Sequence, residues 1–234
     1  MSHVGRSYQL EESEIYDKNQ FVNENIYEYC NLNSFYAVKG KRLLDLLLVL
    51  LGLPFLLPII LVIAILVKLD GGTIIYKQRR VGFGGEEFWF LKFRTMIPNA
   101  EFKLRKHLQE NPAAAAEWET MQKLEHDPRV TKIGRLIRKT SLDELPQLWN
   151  VLVGDMSLVG PRPFLPEQEK LYQGREYVFM KPGITGLWQV LARNKVGFSR
   201  RASFDSIYAQ NIGFLYDLKI LLKTFGVVCR RTGN

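Results

Sequence analysis

Between Arg135 and Asn194 the chain gathers side chains suited to handling phosphate esters. Asp143 and Glu144 are adjacent acids directly downstream of Arg135, Arg138 and Lys139. Acids set among bases make a place where a phosphate, a divalent cation and a nucleophile can meet. A carboxylate can hold the cation or attack phosphorus, while guanidinium groups neutralise the phosphate oxygens. Further on, Gly160-Pro-Arg162-Pro163 puts an arginine between two prolines, on a stiffened, extended backbone that presents its guanidinium at low entropic cost. The glycine-rich turn Lys181-Pro-Gly-Ile-Thr-Gly-Leu-Trp188-Gln-Val190 is followed by Arg193 and Asn194. Plainer readings stand beside each of these. The acid pair could merely cap a helix and complement its dipole, Arg162 could be a solvated residue on a rigid turn, and Trp188 fits either core packing or a stacking surface.

These residues need elements to hold them. Ser141 with Glu144 three residues on has the pattern of a capping box, which predicts a helix over 142–152 with both acids in its first turn. Adjacent helical positions diverge by about 100°, so the two carboxylates should take different roles rather than share a proton. Strand-like runs over 73–76 and 88–93 flank Gly82, Gly84 and Gly85 and predict a hairpin, with no P-loop Lys-Ser/Thr pair after the glycines. Helical patterns cover 100–109, 113–124 (Asn111 as cap, Pro112 in the first turn), 132–139, 167–172 and 199–211. Near the end, Leu215, Leu218, Leu221, Leu222 and Phe225 form an apolar stripe beside Lys219 and Lys223. That is either a basic amphipathic helix for an anionic membrane surface or an ordinary surface helix of the core.

Residues 46–67 carry no charge and are nearly all Leu, Ile and Val, a length of about 33 Å as a helix, which suits a bilayer core. Pro54 and Pro58 interrupt it, and each interior proline costs a helix roughly 3 kcal/mol. Both flanks are basic, with Lys39, Lys41 and Arg42 before and Lys68, Lys77, Arg79 and Arg80 after, which places both ends on the cytoplasmic side. A kinked span and a re-entrant helix–break–helix both remain open on this pattern alone. Asp45, one helical turn after Lys41 and Arg42, can be paired with them at the interface.

Of 234 residues, 47% are hydrophobic and 24% charged, which excludes a disordered or collagen-like chain. Cys30 and Cys229 make no disulfide framework, and His3, His107 and His126 have no zinc-ligand spacing. Net charge is +8, but residues 1–38 hold only Arg6 and Lys18 against six acids, so a basic body follows an acidic tail. No charged n-region leads into an apolar run near Met1, so the tail does not read as a signal peptide. Basic bodies meet nucleic acid, membranes or phosphorylated small molecules; no aromatic-basic motif or recognition helix supports nucleic acid.

Several motifs stand in order: Lys41-Arg42-x-x-Asp45, Lys92-Phe-Arg-Thr-Met96, Ser141-Leu-Asp-Glu-Leu-Pro-Gln147, Gly154-Asp-Met-Ser157 with Gly160-Pro-Arg-Pro163, and Pro182-Gly-Ile-Thr-Gly-Leu187. From about Lys39 to Arg231 the chain resembles the bacterial sugar transferases, the monotopic polyprenol-phosphate phosphoglycosyl transferases, in their compact form. The resemblance implies an α-rich α+β monotopic membrane protein with a re-entrant helix–break–helix, a short hairpin and amphipathic interfacial helices. Its expected parts are an acidic tail (1–38), a re-entrant helix (39–70) broken at Pro58 and anchored by Lys41, Arg42 and Asp45, and a catalytic domain (71–234). It implies transfer of a sugar-1-phosphate from a UDP-sugar to undecaprenyl phosphate, releasing UMP, as the first membrane step of exopolysaccharide or other surface-glycan synthesis. Asp143 would be the nucleophile of a covalent phospho-sugar intermediate. Glu144 would be its partner, and the two acids would hold Mg²⁺. Arg138, Arg162 and Arg193 would contact phosphate, and Glu167 falls where the family also has a carboxylate. The implied location is the bacterial inner membrane with the catalytic domain on the cytoplasmic face; a homo-oligomer is compatible with the sequence. A plain hexose, galactose or glucose, is preferred by similarity, with a UDP-N-acetylated sugar as the alternative. A non-catalytic basic membrane-surface protein would account for the apolar segment and its flanks, but not for the acid pair among arginines. The sequence departs from the family pattern at Leu57, at the additional Pro54, and at Ala192 before Arg193.

Overall fold

A computed structural model describes residues 31–121, 124, 126–192 and 197–229. After a π-helical turn at Tyr36–Gly40, one long helix, α1, runs over Lys41–Leu69. A break at Pro58 was expected; instead both prolines lie inside a single continuous helix. Each proline removes one N–H, leaving the carbonyls of Leu50 and Pro54 without a helical donor. Those two losses fall one turn apart on a single face, so they weaken the helix on one side without ending it. α1 is long and apolar enough to cross a membrane, and its middle is bare, with Phe55 78% exposed. Such a surface requires a lipid or protein cover, an arrangement compatible with a monotopic membrane protein.

Both ends of α1 are seated on the same body. Near its start, Val49 packs with Phe88, Phe90, Val151 and Met156; near its end, Ile63 and Val67 pack with Phe93 and Ile137. Polar contacts fix the same two ends. Lys41 pairs with buried Asp217 at 2.5 Å, and Asp217 also accepts from Tyr36 and Tyr208, each at 2.7 Å. Arg42 donates to the carbonyls of Val151 and Leu152, and Arg94 donates to the Val67 carbonyl at 3.1 Å. Asp45 feels the Lys41 charge as expected, but its hydrogen bond is to the Leu158 amide, at 3.0 Å. Lys41 and Arg42 find stronger partners across the fold, a buried carboxylate and the terminal carbonyls of a helix.

β1 (Ile75–Val81) and β2 (Glu87–Phe93) form the expected antiparallel hairpin, Ile75 opposite Phe93 and Val81 opposite Glu87. Gly84 and Gly85 make its turn at φ of 70° and 79°. α2 (Ala100–Glu110) and α3 (Pro112–Met121) follow, with Asn111 accepting the Ala114 amide as a cap. α4 (Lys132–Lys139) is capped by Thr131, which accepts from Gly134. Gly134 must be glycine because a Cβ there would come within 2.1 Å of the Thr95 carbonyl oxygen. The capping box does not form: Ser141 sits at φ 55° with no side-chain cap bond. A 3₁₀ turn over Leu142–Glu144 precedes α5 (Gln147–Val153) instead of one helix over 142–152. Glu144 is drawn away from the backbone by two cations, which outbid a neutral amide.

β3 (Ser157–Val159) and β4 (Gly183–Thr185) pair in parallel. A Cβ on Gly183 would stand 2.1 Å from the Gly160 nitrogen, so this close approach fixes the loop carrying Arg162. Residues 166–171 form a 3₁₀ helix; α6 (Leu187–Leu191), α7 (Arg201–Asn211) and α8 (Phe214–Cys229) complete the described chain. Trp188 is buried, stacked against a cation as well as packed. α8 turns Asp217 and Ile220 inward while Leu215, Leu218, Leu222 and Phe225 face out, which favours the interfacial reading of its stripe over a core helix.

Candidate active site

The Leu142–Glu144 turn places its two acids unlike one another. Lys92, from β2, bridges them, with Nζ 3.4 Å from Asp143 Oδ2 and 2.9 Å from Glu144 Oε1. Glu144 also accepts from Arg162 Nη2 at 2.7 Å. Burial would raise the Glu144 pKa, but the charges and hydrogen bonds of Arg162 and Lys92 outweigh it and hold the acid down at about 2. Glu144 is therefore a permanent anion that organises two cations. Asp143, only 6% exposed, has among the described residues the single long contact to Lys92, which leaves its oxygens available to a reacting group.

Arg138, on α4, donates from Nε to Thr95 Oγ1 at 2.8 Å. Burial lowers its pKa while the nearby Asp143 charge opposes that. The structure thus brings Asp143, Glu144, Arg138 and Arg162 together. Glu167 does not join them: it is exposed on the Pro166–Leu171 turn, and its charge acts on Arg80. Arg193 lies outside the described residues.

Sequence reasoning missed Lys92, although it lies in a quoted motif and is the lone charge in the run Phe88–Phe93. It missed Asn150 and Gln147 as well. Asn150 locks α5 to β2, donating to the Trp89 carbonyl at 2.7 Å and accepting the Leu91 amide at 3.2 Å. Gln147, one turn nearer Asp143 and 1% exposed, has no hydrogen-bond partner for either amide atom. Arg80 was read only as part of a basic flank, and Arg201 escaped notice. Arg80 donates to the Pro163 carbonyl beside Arg162, and Arg201 lies over the Trp188 and Phe198 rings. No cluster of three or more His, Cys, Asp or Glu side chains occurs among the described residues.

A family model described as bacterial sugar transferase matches residues 36–231. The chain belongs to the bacterial sugar transferase family. Among its relatives, the exopolysaccharide production protein ExoY of Sinorhizobium fredii is 47% identical over 198 residues, covering 83% of this chain and 88% of that protein. A UDP-galactose-lipid carrier transferase of Erwinia amylovora is 50% identical over 195 residues, 82% of this chain. A UDP-glucose:undecaprenyl-phosphate glucose-1-phosphate transferase of Xanthomonas campestris pv. campestris is 37% identical over 202 residues, 81% of this chain. The chain spans 41% and 38% of the length of these last two relatives. The Asp143–Glu144–Lys92–Arg162 cluster lies wholly within the part of the chain that the family covers.

Proposed function

We propose that this chain transfers a hexose-1-phosphate from a UDP-sugar to undecaprenyl phosphate at the cytoplasmic face of the bacterial inner membrane, initiating an exopolysaccharide or related surface glycan. The observation that carries the reading is the unequal pair: Glu144 is committed to Arg162 and Lys92, while Asp143 is buried beside the same ammonium with its oxygens largely free. An Asp143 oxygen attacks the β-phosphorus of the UDP-sugar. The bond from that phosphorus to the bridging oxygen breaks, and UMP leaves with the electron pair. A phosphate oxygen of the lipid then attacks the phospho-sugar aspartate, the Asp143–phosphorus bond breaks, and the carboxylate is restored. Lys92, Arg138 and Arg162 neutralise the oxygens of the diphosphate, without which one anion would not approach another. Two carboxylates with a substrate diphosphate suit Mg²⁺, which is commonly held by one or two acids plus phosphate. When bound between them, the ion would draw charge from the phosphate oxygens. Galactose or glucose is favoured because relatives are named for those sugars.

A re-entrant course for α1 is part of the same reading. Pro54 and Pro58 remove helical hydrogen bonds from one side of the helix, and both its ends contact one body while its middle is bare. A lipid acceptor phosphate would then arrive at the surface on which α1 begins and ends. Single cysteines replacing Lys39 and Asp70, in a background with Cys30 and Cys229 changed to Ser, test this in oriented vesicles. Both should react with an impermeant maleimide from one side; labelling from opposite sides would make α1 a span. The transfer itself is tested with purified chain, labelled UDP-galactose, UDP-glucose and their N-acetylated counterparts, and undecaprenyl phosphate. Lipid product should form with a hexose donor and vanish in Asp143→Asn; near-normal turnover of that variant would remove the nucleophile assignment.

A further inference from the structure

Arg201 is the least explained charge in the fold. It opens α7, and its guanidinium lies 4.5 Å from the Trp188 ring and 4.9 Å from the Phe198 ring. Its Nε is buried without a partner, and among the described residues the group has no hydrogen-bond acceptor or ion pair. Asp205, one turn along α7, acts on it by charge without a hydrogen bond, while accepting the Tyr172 hydroxyl at 2.6 Å. A guanidinium taken largely out of water and given no acceptor is costly to keep. Aromatic faces hold it flat and ready for an anion, as they would a preorganised fork.

Two further guanidinium groups converge on the same place. Phe198 meets Phe164 edge-on at 6.2 Å, and Arg80 donates to the Pro163 carbonyl at 3.3 Å, so Arg201 and Arg80 flank the segment that follows Arg162. Burial pulls both Arg80 and Arg201 down to about 10, and in each the Arg162 charge adds to the fall. Among the described residues Arg80 hydrogen-bonds only neutral acceptors, Pro163 and Gln78, and its Nε has no partner. Among the described residues, the one carboxylate hydrogen-bonded to this group of three is Glu144, which is shared with Lys92.

We propose that Arg80, Arg162 and Arg201 form a second anion subsite beside the Pro163–Phe164 segment that takes one phosphate group of a substrate, with Arg201 as its dedicated contact. The identity of that substrate rests on the transferase reading: the phosphate is either the nucleotide-side phosphate of the donor or the head of the lipid acceptor. Charge-assisted bonds from a preorganised guanidinium to phosphate are strong enough that losing one should weaken binding about tenfold or more.

The test uses the full chain in nanodiscs as wild type, Arg201→Met, Arg201→Lys and Arg80→Met. Inorganic pyrophosphate binding is measured by calorimetry, unfolding by differential scanning, and KM separately for UDP-sugar and undecaprenyl phosphate. Arg201→Met should weaken pyrophosphate at least tenfold without lowering Tm, because methionine fills the slot between the rings and removes an unpaired cation. A rise confined to the donor KM assigns the subsite to the nucleotide phosphate, and one confined to the acceptor KM assigns it to the lipid phosphate. Pyrophosphate affinity within twofold of wild type, with Tm lowered or not, overturns the proposal. If the Met variant does not fold, Arg201→Lys decides: it keeps the charge but not the fork, so a loss of fivefold or more upholds the subsite and wild-type binding refutes it. Arg201-dependent pyrophosphate binding by a wild-type chain that turns over no UDP-sugar would sink the transferase reading while leaving the subsite standing.

Discussion

Glu144→Gln isolates the electrostatic centre of the site, because it removes a charge while keeping the shape. In the wild type Arg162 and Lys92 hold the acid at about 2 against an ordinary 4.5. That depression is worth about 3 kcal/mol of folding stability at neutral pH. The glutamine Oε1 still accepts from Arg162, so the expected loss at pH 7 is about 2–3 kcal/mol. The sign follows from a folded-state pKa below the unfolded one. The stabilisation is complete above about pH 5 and is lost as pH falls through the folded value, with roughly half remaining at pH 3. Urea unfolding of both chains in detergent, from pH 7 to pH 3 at fixed ionic strength, gives the difference directly. A gap that stays constant over that range, or a variant as stable as wild type at pH 7, would refute the idea that Glu144 is an anion held by its two cations. Glu144 would then be free to trade a proton during turnover, which the geometry here denies it.

Lys41→Met leaves Asp217 buried with only tyrosine hydroxyls, which should cost about 3–5 kcal/mol. For a chain of this size that is a Tm lower by about 6–20 °C in scanning calorimetry, with Asp217→Asn in the same chain recovering part of it. Asp205 is raised to about 7 by burial, against the Tyr172 bond and the Arg201 charge that lower it. Its folded form therefore binds a proton that the unfolded form releases, and stability falls as pH rises from about 4 to about 7. Asp205→Asn should flatten that decline, matching wild type near pH 4 and exceeding it by about 2–4 kcal/mol at pH 8 in urea titrations.

Local chemistry made much of the fold legible beforehand. Gly84 and Gly85 announced the hairpin because a tight turn needs positive φ, Asn111-Pro112 marks a helix start where it was expected, and the helix over 132–139 has the expected bounds. The acid pair with Arg138 and Arg162 was visible because charged types at fixed spacing are unusual in a buried setting. Competition between partners distant in sequence was not visible. Ser141 and Glu144 match a capping box, but Lys92 and Arg162 arrive from other elements and take the carboxylate. Asp45 and Lys41 are well spaced for each other, yet Asp217, far along the chain, claims the lysine. Arg201 reads as one more surface base until two aromatic rings are seen to enclose it. Pro58 was expected to break the helix, whereas two prolines one turn apart sit in one that stays continuous.

The central claim is that Asp143 carries the sugar phosphate. Intact-mass analysis of nanodisc-held chain, given Mg²⁺ and a panel of UDP-sugars without lipid acceptor, addresses it directly. The account predicts a mass gain equal to one hexose phosphate, absent from Asp143→Asn and discharged when undecaprenyl phosphate is added. An adduct that persists in Asp143→Asn, or lipid product formed at full rate while no adduct can be trapped on any timescale, would contradict it.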